Sequence, residues 1–164
     1  MKRKYWIVGI AFCLLLALDQ ASKLSIERSL PLYQSREVIP GFFAITHVQN
    51  RGAAFGLLGN LPGAAIIFVI VSLIAIALIL TYLRQIKERE LWTPFSLSLV
   101  LTGTVGNLID RFRLGSVVDF LDFHYRGWHW PAFNVADASI TIGVILLAVK
   151  ILWWGGKRDS GEVI

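Results

Sequence analysis

Four apolar blocks, separated by polar and charged segments, set the pattern of this chain. They run from about Trp6 to Asp19, Leu61 to Leu83, Leu91 to Ile109 and Phe133 to Trp154. A bilayer-spanning helix needs about 20 mostly apolar residues. The second block meets that requirement most clearly. The first meets it if the helix continues through Asp19-Gln20-Ala21-Ser22-Lys23. The pattern predicts an all-α membrane protein in a single polytopic domain, residues 1–164. Its four transmembrane helices are expected over about 6–23, 61–83, 91–111 and 133–154.

Basic residues fix the expected orientation. Lys2, Arg3 and Lys4 precede the first block, Arg84, Lys87 and Arg89 lie between the second and third, and Lys157 and Arg158 follow the fourth. With four spans all three sets fall on one side, which the positive-inside rule makes cytoplasmic. Both termini are then cytoplasmic. Lys150, near the inner end of block four, is expected to snorkel to the interface. The basic start followed by a short apolar run also has the look of a cleavable signal peptide. Extension of the helix through Lys23 favours a retained span instead.

The two remaining connections, about 24–60 and 112–132, are expected to face outward. The stretch Val38–Val48 is β-prone and bounded by Pro40-Gly41, which predicts a small strand element on the outer surface. The second connection carries Phe120, Phe123, Tyr125, Trp128 and Trp130. Aromatic residues favour the membrane–water boundary, so an interfacial loop or short helix is expected there, placed to act as a flap. The sequence contains no internal repeat and no low-complexity tract.

Composition agrees with a membrane class. Of 164 residues, 55% are hydrophobic and only 16% charged, against about 25% charged in ordinary soluble domains. The net charge of +5 sits at block ends, which suits topology and anionic lipid rather than nucleic acid. Cys13 is the single cysteine, so no intrachain disulfide forms; it reads as a small buried apolar residue.

Ionisable residues at membrane depth are costly and therefore mark function. Asp19 and Lys23 end block one, and Asn107, Asp110 and Arg111 end block three. Asp119 and Asp122 lie in the second outer connection, and Asn134 and Asp137 open block four. All fall at the outer side. Asp19 and Asp110 could serve as interface anchors paired with Lys23 and Arg111. Asp119 and Asp137 sit among apolar neighbours without an adjacent base. Two carboxylates sharing a site do not both ionise easily. Such a pair can hydrolyse an amide, one member taking a proton from water while the other donates to the carbonyl oxygen. On the residues alone, Asp119 and Asp122 remain alternatives for one partner.

Other chemistries fit less well. His47, His124 and His129 do not form an H-E-x-x-H metal motif and are expected in loops. Ser22, Ser116 and Ser139 lack a visible triad, and Ser22 and Lys23, being adjacent, do not face each other on a helix. Gly103 and Gly106 suit close helix packing better than a phosphate cradle. A transporter would need polar residues through the bilayer depth, yet Ile66–Leu80 is almost wholly apolar. A non-enzymatic scaffold would need no convergent carboxylates.

Five segments together resemble one family. Asp19-Gln20-Ala21-Ser22-Lys23, Asn50-Arg51-Gly52-Ala53-Ala54-Phe55, Gly106-Asn107-Leu108-Ile109-Asp110-Arg111, Val117-Val118-Asp119-Phe120 and Phe133-Asn134-Val135-Ala136-Asp137 are similar, in order, to the signature motifs of lipoprotein signal peptidases (signal peptidase II). The resemblance implies an aspartic endopeptidase of a bacterial cytoplasmic membrane, acting at the extracytoplasmic face. It implies removal of the signal peptide from diacylglyceryl-modified prolipoproteins, with the cut just before the lipidated cysteine. Asp119 and Asp137 would be the catalytic pair, which settles the choice against Asp122. Asn50, Asn107 and Arg111 would line the substrate cleft, with Asp19, Lys23, Asp110 and Asn134 supporting. The first helix would be retained. That chemistry requires no cofactor and no metal, and expected partners are prolipoproteins and membrane lipids around a monomer, with no nucleic acid.

Overall fold

The computed structural model describes residues 3–52 and 63–154. Ala53, Ala54 and Phe55, the first two residues of the second block, and Lys2, Lys157 and Arg158 lie outside the described residues. Among the described residues four helices and four strands follow in the order α1 (Arg3–Ser29), β1 (Ser35–Ile39), β2 (Phe43–Asn50), α2 (Ala64–Gln85), α3 (Trp92–Leu114), β3 (Val117–Tyr125), β4 (Trp128–His129) and α4 (Val135–Trp154).

Helix α1 is inside-out relative to a helix of a water-soluble bundle. On α1 the buried residues are Lys4, Asp19 and Lys23, while Trp6, Ile10, Leu14 and Leu18 form an outward stripe at four-residue spacing. Leu14 is 67% exposed and Lys23 0%. Only a surrounding apolar solvent makes that arrangement favourable. Cys13 likewise faces outward. This corrects the expected burial: in lipid an apolar residue need not enter the core.

Among the described residues three helices, α1, α2 and α4, are long and apolar enough to cross a membrane. The third expected span, α3, is not among them, because it is the centre of the bundle. It packs against α1, α2 and α4 and meets other helices where they meet lipid. It buries Ser96, Ser98, Thr102, Thr104, Asn107 and Asp110. The Ser98, Thr102 and Thr104 hydroxyls donate back to main-chain carbonyls one turn earlier, so no partner is needed from outside. Small residues allow the close approach. A Cβ on Gly103 would collide with the Ala136 carbonyl oxygen, and one on Gly106 would lie 2.5 Å from Asp19 Oδ2. The helix-packing role expected for both glycines is therefore met.

Helix α1 continues to Ser29, past the expected start of the first connection, so Asp19 and Lys23 sit inside the helix rather than at its end. The connections hold more strand than the sequence suggests. The strands form an antiparallel sheet in the order β1-β2-β3-β4. Strand β2 carries an irregularity between Ile45 and Val48. The expected interfacial loop or short helix is instead β3 and β4. Phe123 stacks between Phe43 at 4.7 Å and Phe133 at 5.9 Å. Of the aromatic residues that suggested an interface loop, Phe123 thus packs across the sheet and Phe120 is buried, while Tyr125, Trp128 and Trp130 stay exposed. The three histidines, expected in loops, lie in β2, β3 and β4.

At the far end of the bundle, Lys150 pairs with Glu90 and Thr93 instead of reaching outward alone. Lys4 donates to the Ile86 carbonyl at 2.5 Å.

Candidate active site

The site is built where the sheet meets α1, α3 and α4. Its foundation is a buried ionic cluster. Lys23 Nζ lies 3.0 Å from Asp19 Oδ2 and 2.8 Å from Asp110 Oδ2, and all three side chains are 0% exposed. Asp19 also accepts from the Ala136 N–H at 2.9 Å. Asp110 accepts from the Val118 N–H at 3.3 Å. One lysine and two carboxylates therefore fasten α1 to α3, to the start of α4 and to the start of β3. Removing one partner of such a buried set leaves an uncompensated charge, at a cost of about 3–5 kcal/mol. Gln20, not singled out in the sequence, completes the cluster by donating to Asp19 at 3.0 Å and to Asp110 at 3.3 Å. Its place inside the Asp19–Lys23 motif was the available signal.

The cluster is joined to the upper site through Asn107. Lys23 can only donate, so it fixes the amide orientation by donating to Asn107 Oδ1 at 3.1 Å. The Asn107 NH2 group then points to Asp137 Oδ1 at 2.7 Å. Arg111 does not pair with Asp19 or Asp110 in this arrangement. Its guanidinium donates to the carbonyls of Asn107 and Gly52, both at 3.3 Å, and stacks over Phe68 at 5.0 Å.

Two turns deliver the upper carboxylates. Helix α3 ends at Gly115, whose φ of 68° closes a left-handed cap and donates to the Arg111 carbonyl. The chain then enters β3, which buries Asp119. Asn134 stands just before α4. Its Oδ1 accepts from the Asp137 N–H at 2.9 Å, and Asp137 Oδ2 accepts from the Asn134 N–H at 3.3 Å. This is a reciprocal capping box at a helix start. Asn134, read from the sequence as opening block four, precedes the helix itself, which starts at Val135. The Asn134 NH2 group donates to Asp119 Oδ1 at 2.7 Å, and Asn50 donates to Asp119 Oδ2 at 3.0 Å.

Each oxygen of Asp119 and of Asp137 thus accepts a hydrogen bond, and both residues line one cleft of about 620 Å³ with Asn50, Gly52, Asn107 and Arg111. Apolar groups from Trp130, Phe133 and Ile140 form much of the remaining wall. Burial, and after it the neighbouring Asp137 charge, pushes Asp119 up to about 7 against the bonds from Asn50 and Asn134 and the charge of Lys23. At neutral pH such a group holds and releases a proton readily. A carboxyl pair sharing a proton can act as acid and base at once. Asp122 lies elsewhere, paired with His129 at 3.0 Å. All nine site residues named from the sequence converge here. Missed were Gln20, the Gly52 carbonyl and the apolar wall; Gln20 had its signal in the Asp19–Lys23 motif and the wall in the aromatic run.

The comparisons with known proteins agree. A family model described as signal peptidase (SPase) II matches residues 11–153. A protein of Geobacter metallireducens called lipoprotein signal peptidase is 47% identical over 152 residues, covering 93% of this chain and 94% of its own. One of the same description from Pseudomonas fluorescens is 41% identical, covering 92% and 88%. A solved bacterial membrane enzyme superposes with a TM-score of 0.85 at 34% identity, covering 96% of this chain and 94% of its own. The chain belongs to the signal peptidase II family.

Proposed function

We propose that this protein is an aspartic endopeptidase that removes signal peptides from prolipoproteins, with Asp119 and Asp137 as its catalytic pair. The observation that carries the assignment is the shared cleft in which two carboxylates are held by Asn50, Asn107 and Asn134. Asp119, pushed up to about 7, carries the proton of the pair. Asp137 takes a proton from water, and the resulting hydroxide adds to the scissile carbonyl carbon. Asp119 donates to the carbonyl oxygen. Collapse of the tetrahedral intermediate breaks the C–N bond as Asp137 passes its proton to the leaving amine, and a hydroxyl of the intermediate returns a proton to Asp119. Neither a metal nor a cofactor enters these steps.

Arg111, with Asn50 and Asn107, positions the substrate main chain. Asp19, Lys23, Asp110 and Asn134 hold those groups in place. The apolar wall suits acyl chains and a signal-peptide residue, which supports a diacylglyceryl-modified substrate cut just before its lipidated cysteine. The β3–β4 region, with Trp130 at the cleft, closes over the bound segment.

The whole chain acts as one polytopic domain. Helix α3, 23 residues long, reaches about 34 Å at 1.5 Å per residue, enough to cross a bilayer core of about 30 Å. It is the fourth span, shielded by its neighbours. The basic residues Lys4, Arg84, Lys87 and Arg89 support a cytoplasmic side for the far end of the bundle and, with it, for both termini. The site then faces the outer side of a bacterial cytoplasmic membrane, where the protein works as a monomer among lipids. The test is cleavage of a diacylglyceryl-modified prolipoprotein by detergent-purified protein, beside the same substrate without lipid. Cleavage of the lipidated form alone is expected. Equal cleavage of both forms would remove the lipid from the proposal, and no cleavage by folded protein would overturn it.

A further inference from the structure

The sheet carries a second cluster on the face of β3 opposite to Asp119. Side chains alternate along a strand, so Asp122 and His124 share one face and Asp119 takes the other. Pairing brings neighbours to that face from both sides. Asp122 lies opposite Ala44, which lies opposite Glu37 of β1. His124 lies opposite His129 of β4. One donor atom from each of Asp122, His124 and His129 can be taken so that all lie within 4.8 Å of one another. His129 Nδ1 is 3.0 and 3.1 Å from the two Asp122 oxygens. His124 Nδ1 is 3.9 Å from Asp122 Oδ1. The two imidazoles stack at 4.8 Å.

Two details separate this cluster from an ordinary polar patch. His124 Nδ1 is buried without a hydrogen-bond partner, a state that costs free energy unless something else satisfies the atom. The other nitrogen of that ring, Nε2, lies 3.7 Å from Glu37 Oε1. In the tautomer with its proton on Nε2, the side nearer the Glu37 charge, Nδ1 is a bare lone pair near a carboxylate oxygen. Two electron-rich atoms with no donor between them are satisfied by a cation. A carboxylate behind a ligating histidine is also the usual outer support of a metal site.

We infer that Asp122, His124 and His129 bind a divalent transition-metal ion of the zinc type, which fastens the β3–β4 hairpin. Imidazole with carboxylate suits Zn2+, Cu2+ or Ni2+ better than Mg2+ or Ca2+. Zinc–ligand distances of about 2.0–2.2 Å require the donors to close in slightly, which His129, 57% exposed beside the turn, can do by rotating. Water fills the fourth position. His129 precedes Trp130, which lines the cleft, so the ion tethers the strand that leads into the cleft wall. The spacing of residues 122, 124 and 129 matches no metal motif; only the cross-strand pairing assembles them.

The experiment is calorimetric titration of tag-free, chelator-treated full-length protein in detergent with Zn2+, beside His124→Gln, His129→Gln and, as a control for an exposed thiol, Cys13→Ser. One Zn2+ per chain is expected, weakened by about tenfold or more in either histidine variant and unchanged in Cys13→Ser. Melting of the His129→Gln protein in chelator, matching the parent chain, shows that it is folded. Hydrogen exchange over residues 125–130 is expected to slow with Zn2+ in the parent chain only. No Zn2+ binding by the folded parent chain, or equal binding by all variants, would overturn the site. Binding without slowed exchange would overturn its fastening role.

Discussion

Asn134 and Asp137 are bonded to each other twice, side chain to main chain in both directions, at 2.9 and 3.3 Å. The start of α4 and the geometry of one carboxylate are therefore one structural unit. The second amide proton donor of that unit, Asn134 Nδ2, holds Asp119. A helix cap thus sets the spatial relation of the two carboxylates.

Asn134→Ala removes the cap and the bond to Asp119 together. The lost cap costs about 1 kcal/mol. The turnover number should fall more than tenfold while KM changes little, because Asn134 positions the carboxylates rather than the substrate. A rise in KM alone, measured with lipidated prolipoprotein, would place Asn134 in substrate binding instead.

Lys23→Met leaves Asp19 and Asp110 facing each other in a site with no exposure. A loss of about 3–5 kcal/mol is expected, read as a lowered melting midpoint in detergent. The triple change Lys23→Met, Asp19→Asn, Asp110→Asn should recover much of that loss, since replacement of a whole buried ionic set is often close to neutral. It should not recover turnover, because Asn107 loses the donor that orients its amide.

Gly106→Ala places a methyl group 2.5 Å from Asp19 Oδ2. Asp19 is held by Lys23 and by the Ala136 N–H and has little freedom to yield. Destabilisation of about 1–3 kcal/mol is expected, together with reduced activity. Gly9→Ala, where nothing lies within 4 Å, should be tolerated in both assays.

The pH dependence follows from Asp119. Its carboxyl is raised from the ordinary 3.8 to about 7, mainly by burial and then by the charge of Asp137. Between those two values the folded protein keeps a proton that the unfolded chain has released. Stability therefore declines as pH rises through that window and levels off above about 7. Melting midpoints measured across the window should show this slope in the parent chain and a flatter profile in Asp119→Asn. The cleavage rate should also decline above about pH 7, as the pair loses its shared proton. A rate that still climbs well above that pH would contradict the assignment of the proton to Asp119.

Much of this architecture can be read from the sequence, for a physical reason. Lipid rewards long apolar blocks, so α1, α2 and α4 stand out, and it penalises isolated charge, so Asp19, Lys23, Asp110 and Asp137 stand out against those blocks. Helix α3 is harder to read as a span because packing on three sides lets it carry Ser98, Thr102 and Asn107. The strands are less legible still. Phe120 and Phe123 suggest an interface, whereas their role in β3 depends on Phe43 and Phe133, which are distant in sequence. Gln20, though it stands inside the Asp19–Lys23 motif, and the carbonyl of Gly52 find their partners only through tertiary contacts, and the Asp122–His124–His129 group exists only through strand register.

The most direct measurement is single-turnover cleavage of diacylglyceryl-modified prolipoprotein by Asp119→Asn and Asp137→Asn proteins whose melting shows them folded. Each replacement keeps the shape and removes the proton chemistry, so each should lower the rate by about 100-fold or more. Cleavage by either folded variant at a rate near that of the parent chain would contradict the carboxylate pair as the catalytic centre.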